Sequence, residues 1–167
     1  TRKNKLFTTQ HLTLMAILIR IGTCGSMSEK AKIGDIIMAQ ASCTDSNYAH
    51  QYRLPGTFSA IASYPLLRKA ADIAEEKGFP YIVGNVVSSD VFYKPDAWRE
   101  WAKMGCLASE MESYALYCNA AQAGVDALAI FTVSDSMVTG EATSPEERQN
   151  NFTNMMEVAL ETGIRFV

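Results

Sequence analysis

Two short stretches of this chain gather residue types that do chemistry. Residues 129–141, AIFTVSDSMVTGE, run as an apolar segment into Ser134 and Asp135. A carboxylate placed straight after a buried strand is costly to hold unless a partner or a ligand meets it. Residues 109–113, SEMES, set Glu110 and Glu112 two positions apart. In or near the first turn of a helix both enjoy the positive end of the macrodipole. They nevertheless point in different directions there, so only one of them faces a given pocket. A carboxylate that does so can accept two sugar hydroxyls at once.

Arg20 stands among Ile17, Leu18, Ile19 and Ile21, so its guanidinium either pairs with a carboxylate inside the fold or waits for an anion. The internal ion pair is the commoner fate of such a residue. Thr23 and the GTCG backbone directly after it shift the balance, because a hydroxyl, amide N–H groups and an arginine together make an oxyanion cradle. The spacing matches no P-loop. Phe92 and Tyr93, in the polar stretch SSDVFY, are of a type more often found in cores, but an aromatic in a loop beyond a strand can also cover a flat ring. Arg148 falls in the first turn of a predicted helix, where a cation is unfavourable by a few tenths of a kcal/mol. A carboxylate partner would explain it, and Asp135 is the candidate.

These residues need elements to position them. Residues 16–22, AILIRIG, read as a buried strand that breaks at Gly22, with GTCGS following as a turn. Further strands are expected at 35–41, 81–87 and 126–133. Helices are expected at 65–77, 97–104 and 109–124. The first of these carries Leu66, Leu67, Ala70, Ile73 and Ala74 on one face and is stopped by Gly78. A last helix runs from Ser144 to about Gly163, opened by a capping box of Ser144 and Glu147 with Pro145 at the first position. Residues 43–60 form a long polar connection of a kind that is often functional, and 88–96 a loop. Strands alternating with helices predict an α/β fold, with three layers, α/β/α, around a mixed, largely parallel sheet. Ligands of such sheets lie beyond the carboxyl ends of strands. Arg20 with Thr23, the SSDVFY loop, and Ser134 with Asp135 all fall there.

At 167 residues and 48% hydrophobic, the whole chain, 1–167, is expected to form a single domain. A net charge of -3, with both signs scattered along the sequence, offers no electrostatic footprint for nucleic acid or an anionic membrane, and a small molecule is the expected partner. Cys24, Cys43, Cys106 and Cys118 are far apart, with no C-x-x-C and only His11 and His50 to complete a metal site; buried reduced thiols are the better reading. The most apolar early stretch is broken by Arg20 well short of a membrane span, and no signal-peptide order stands at the start, so a cytoplasmic protein is expected. The opening TRKNKLF lacks an initiator Met and runs straight into a core element, which predicts a domain incomplete at its N-terminus.

Taken in order, RIGTCGS, CTDS, SSDVFY, SEMES, TVSDSMVTGE and EERQNNF resemble the bacterial-type purine nucleoside phosphorylases, the low-molecular-weight-subunit kind within the nucleoside phosphorylase superfamily. The resemblance runs from about Ile17 to Gly163; each motif is weak alone, and their order and spacing are specific. It implies the phosphorylase/hydrolase-like α/β fold and reversible phosphorolysis of purine (deoxy)ribonucleosides to free base and (2-deoxy)ribose 1-phosphate, a purine-salvage reaction. Inorganic phosphate is then a co-substrate, and neither a cofactor nor a metal is implied. By the same resemblance Arg20 and Thr23 hold phosphate, Glu112 the ribose hydroxyls, Met111 the apolar side of the sugar, and Phe92 the purine face. Cys24, Gly25, Ser109 and Glu110 border base and sugar. Asp135, with Ser134 beside it, becomes the acid that protonates the departing purine near N7, with Arg148 assisting the transfer.

A homo-oligomer, a trimer of dimers, is also implied, because the relatives complete each pocket with a histidine and an arginine lent by a neighbouring subunit. Those residues, and a glycine-rich phosphate loop with further arginines, lie upstream of anything in this sequence; neither His11 nor His50 matches that histidine. Thr23 stands where serine is usual, keeping the hydroxyl, and Ser136 replaces a histidine after the acid. Two other readings compete. One is a purine nucleosidase of the same superfamily, against which Arg20 argues, since a water-using enzyme needs no phosphate anchor. The other is a catalytically inactive fragment or interaction homologue.

Overall fold

A computed structural model of the chain describes residues 16–92, 96–150 and 152–166, at 148–150 the backbone alone. Two long parallel ladders organise it. β1 (Ile17–Ser26) lies beside β6 (Asp126–Ser136), and β2 (Ile36–Thr44) beside β4 (Tyr81–Ser88). Short β5 (Ala108–Glu110) runs parallel to β4 and antiparallel to β1, and two-residue β3 (Ala60–Ile61) forms an edge on β2. This is the expected α/β fold with a mixed, largely parallel sheet. The start of β2 also pairs antiparallel with β6, Ile36 opposite Thr132 through Ala39 opposite Ala129. Strands β1, β6, β2, β4 and β5 therefore close into a ring. Apolar periodicity reports which residues are buried and not which strand lies alongside, so closure has no signature in the sequence.

β6 shows why its sequence is nearly continuous in apolar residues. Every position from Ala127 to Ser134 is buried, as expected of a strand covered on both faces. Helix α1 (Tyr64–Lys77) buries the face read from the sequence, Leu66, Leu67, Ala70, Ile73 and Ala74, and ends at Gly78 in the left-handed region, φ +66°. Helix α2 (Ala97–Lys103) follows β4, and α3 (Ser113–Ala123) follows β5. From α3, Tyr117 enters the core: its hydroxyl donates to the Ala39 carbonyl at 2.5 Å and accepts the Ala129 N–H at 3.0 Å. Those two residues are the last opposed pair of the β2–β6 ladder.

Three local expectations are corrected. GTCGS is not a turn: β1 passes through Gly22 and stays extended to Ser26, because β6 on one side and β5 on the other supply partners for its backbone. Ser109 and Glu110 are not helical; they extend β5, and α3 starts only at Ser113. The last helix is two, α4 (Pro145–Asn150) and α5 (Thr153–Phe166), with Phe152 between them buried in the core. The capping box itself is present: Ser144 N–H donates to Glu147 Oε2 at 2.7 Å, and Glu147 N–H donates to Ser144 Oγ at 3.2 Å. Among the described residues no helix is long and apolar enough to cross a membrane.

Candidate active site

The site begins at an irregularity in the β1–β6 ladder. Cys24 lies opposite Val133 but Gly25 lies opposite Asp135, so Ser134 is an extra residue in β6. A bulge of this sort kinks the strand and re-aims the side chains around it. Ser134 is buried, and its hydroxyl donates to Asp135 Oδ1 at 2.8 Å, with the Cys24 carbonyl at 3.4 Å. Gly25 pairs on its other side with Ser109 of β5. Ser109, Gly25 and Asp135 thus form one row across three strands.

Past this row the chain separates the two glutamates by task. Glu110 is buried; its Oε2 accepts the N–H groups of Glu112 and Ser113, both at 2.9 Å, and its Oε1 accepts the Ser113 hydroxyl at 2.5 Å. It therefore caps the first turn of α3, where unsatisfied N–H groups and the helix dipole favour a carboxylate. Burial pushes its carboxyl above the usual carboxylate range, while those hydrogen bonds and the charge of Arg20 pull it back. Glu112 is exposed instead, and its carboxylate accepts a hydrogen bond from Arg20 Nη2. The guanidinium of Arg20 lies over the Phe131 ring, 5.1 Å from its centroid. Its Nη1 is buried and has no hydrogen-bond partner among the described residues.

One cavity of about 220 Å³ collects these groups. Arg20, Thr23, Cys24 and Gly25 line it from β1; Ser109, Glu110, Met111 and Glu112 from β5 and the turn into α3; Ser134 and Asp135 from β6; Phe92 from the loop after β4. Every site residue read from the sequence is there except Arg148, whose side chain, like Tyr93, lies outside the described residues, as does the proposed pairing of Arg148 with Asp135. Val91 also lines the cavity and was not singled out. Its signal was adjacency: a Val before Phe92 in the same loop has the same access to an apolar ring. Burial pushes the Cys24 thiol up, helped by the charges of Glu110 and Asp135, so Cys24 stays a thiol and offers no nucleophile. Among the described residues no group of three or more His, Cys, Asp or Glu is placed to hold a metal ion.

Closed mixed sheet, strand-end cavity and ordered motifs together define a class, and comparison with known proteins gives it a name. The model of the phosphorylase superfamily matches residues 4–167; the chain belongs to that superfamily. Over 148 residues it is 59% identical to a DeoD-type purine nucleoside phosphorylase of Clostridium beijerinckii, covering 87% of this chain and 62% of the relative. Over 147 residues it is 50% identical to the enzyme of the same description from Alkaliphilus metalliredigens, covering 86% and 63%. The chain thus spans less than two thirds of the length of these curated relatives. Among solved structures, the P knowlesi homolog of P falciparum PNP superposes with a TM-score of 0.77 at 26% identity, covering 90% of this chain and 62% of that one. Purine nucleoside phosphorylase from Toxoplasma gondii, solved with immucillin-H, superposes with a TM-score of 0.78 at 24% identity, covering 87% and 62%, a likeness of fold.

Proposed function

We propose that the protein containing this chain catalyses reversible phosphorolysis of purine (deoxy)ribonucleosides. The observation that carries the reading is the composition of a single cavity: an arginine with one buried, unpartnered N–H-bearing nitrogen, a sugar-competent carboxylate, and a serine-anchored acid at a strand bulge. Arg20 and Thr23 bind phosphate. Glu112 accepts the ribose hydroxyls, Met111 covers the sugar, and Phe92 with Val91 covers the purine, bordered by Cys24, Gly25, Ser109, Glu110 and Ser134. A phosphate oxygen attacks the anomeric carbon as the bond from that carbon to purine N9 breaks and its electron pair moves into the base. Asp135 delivers a proton to N7, so the base leaves neutral; Arg148 assists this transfer.

Phosphate is itself the nucleophile, so the protein's part is to place it below the anomeric carbon and to stabilise charge. No cofactor enters this scheme beyond phosphate as co-substrate. Arg20 and Thr23 make only part of a phosphate shell. The resemblance assigns the rest to residues upstream and to a neighbouring subunit, which is the ground for expecting a homo-oligomer, a trimer of dimers. The four unbridged cysteines suit a reducing compartment, and the cytoplasm is where we place the reaction.

Incubation with inosine or adenosine, with and without inorganic phosphate, tests the proposal. Base release that requires phosphate and yields pentose 1-phosphate supports it. Release independent of phosphate makes the protein a nucleosidase. No release, together with no calorimetric binding of phosphate or purine, makes it an inactive homologue.

A further inference from the structure

Arg20 leaves β1 six residues before the strand ends at Ser26, yet its guanidinium belongs to a cavity lined by Thr23, Cys24 and Gly25. To reach it, the side chain has to travel along its own strand. Residues i and i+2 of a strand share a face, about 6.6 Å apart, so the path of Arg20 crosses position 22. Gly22 stands there. A Cβ built on Gly22 would lie 2.4 Å from Arg20 Nη1 and 3.2 Å from its Cζ. Gly22 pairs with Phe131, whose ring lies beneath the same guanidinium. The guanidinium therefore occupies a slot with an aromatic floor and a wall of bare backbone.

We propose that Gly22 is a positioning residue: the missing side chain at position 22 lets Arg20 lie forward along β1, pair with Glu112 and bring its guanidinium to the cavity. As a role in phosphate binding, this rests on the phosphorolysis reading; as a determinant of where the guanidinium lies, it stands on the geometry alone. Gly22 is not in the left-handed region, so its backbone conformation is open to alanine, and the three atoms nearest the added methyl all belong to the Arg20 guanidinium. Gly84 is different in kind. A Cβ there would lie 2.4 Å from Leu107 Cδ1 and 3.0 Å from its Cγ, so a buried side chain of the core would have to shift. Gly22→Ala should therefore move a flexible head group and keep the fold, whereas Gly84→Ala should strain the core.

The test uses Gly22→Ala, Arg20→Ala and the double variant in the full-length protein. The melting temperature of Gly22→Ala is expected within a few degrees of wild type, against a clear fall for Gly84→Ala. The Arg20 guanidinium resonances, assigned by their loss in Arg20→Ala, are expected to shift in Gly22→Ala. KM for phosphate is expected to rise at least about tenfold, as for loss of one charge-assisted hydrogen bond. In the Arg20→Ala background the same glycine substitution should change that KM by less than about twofold, since a residue acting only through Arg20 has nothing left to act on. Unmoved Arg20 resonances in Gly22→Ala, or effects of the two substitutions that multiply, overturn the proposal. A wild-type protein indifferent to phosphate, with resonances that still shift in Gly22→Ala, refutes the phosphorolysis reading and upholds Gly22 as the residue that places Arg20.

Discussion

Arg20 of β1 and Glu112 of the turn into α3, 92 residues apart in the chain, form an ion pair at the cavity. Their meeting follows from strand direction. β5 runs antiparallel to β1 with Ser109 opposite Gly25, so each residue beyond Glu110 carries the chain back along β1 toward the place where the Arg20 side chain comes forward. The side chains are 23% and 56% exposed, and a pair so open to water contributes little to stability. Its consequence is functional. The group proposed to grip phosphate and the group proposed to grip ribose hold each other, so either substrate has to compete with, or share, the partner of the other.

Replacing Glu112 with alanine frees Arg20 and removes the ribose acceptor. Hydrogen bonds to a charged group are worth about 1.5–3 kcal/mol, so kcat/KM for a purine ribonucleoside should fall by about 10- to 100-fold or more. The loss should be smaller for the 2′-deoxyribonucleoside, which has one hydroxyl fewer to offer. Kinetics on both sugars check this, and equal losses would mean that Glu112 does not read the 2′ position.

Asp135→Asn keeps the size of the side chain and the bulge but removes the acid. Cleavage should drop by about 10² to 10⁴-fold, the usual reach of general acid catalysis, and by similar factors for inosine and adenosine, since both draw on the same proton donor. Turnover at the wild-type rate removes Asp135 from the mechanism.

Which residues gather at the cavity was more legible than which strands pair, and the reason is physical. Arg20 and Asp135 announce themselves because charged groups beside apolar strands need a partner or a ligand whatever the tertiary arrangement, whereas Glu112 was told apart from Glu110 only by the family resemblance. The face of α1 was legible because its period is local, and Gly78 because helix stops are local too. What escaped depends on neighbours distant in sequence. Gly22 and GTCGS look like a break until β5 and β6 pair with the backbone on both sides. Glu110 looks helical until β4 and β1 hold β5 extended. The Ser134 bulge and the closing of the ring by β2 and β6 are matters of register, which no single strand encodes.

Glu110 makes the stability of the protein depend on pH in a stated direction. Burial raises its carboxyl in the folded state, so the folded chain holds this proton more tightly than the unfolded one. Below the ordinary carboxylate range both states are protonated, and the group's full contribution to stability is present. As pH rises through the folded titration that contribution is lost, because the unfolded chain has already ionised and gained hydration. Glu110→Gln keeps an acceptor for the Glu112 and Ser113 N–H groups and cannot ionise. Its stability relative to wild type should therefore increase as pH rises above the ordinary carboxylate range and level off once the folded carboxyl has ionised, in denaturant titrations run at each pH. A constant difference across that rise would show that Glu110 is not held above its ordinary value.

Tyr117 supplies the last test, of the ring itself. Its hydroxyl stands between the Ala39 carbonyl and the Ala129 N–H, where the β2–β6 ladder ends and the strands no longer satisfy each other directly. Burial pushes the phenol up, so it remains protonated and able to donate while it accepts. Tyr117→Phe fills the same core volume but strands one acceptor and one donor in a region where Ala39 and Ala129 are fully buried. The expected cost is about 1–3 kcal/mol for each buried group left unsatisfied, read as a lower denaturation midpoint with an unchanged slope. Because Tyr117 is not among the residues that line the cavity, KM for phosphate and nucleoside should hold. A variant as stable as wild type would mean that the two strands find each other, or water, without the hydroxyl, and that the seam of the ring is held by packing rather than by this bridge.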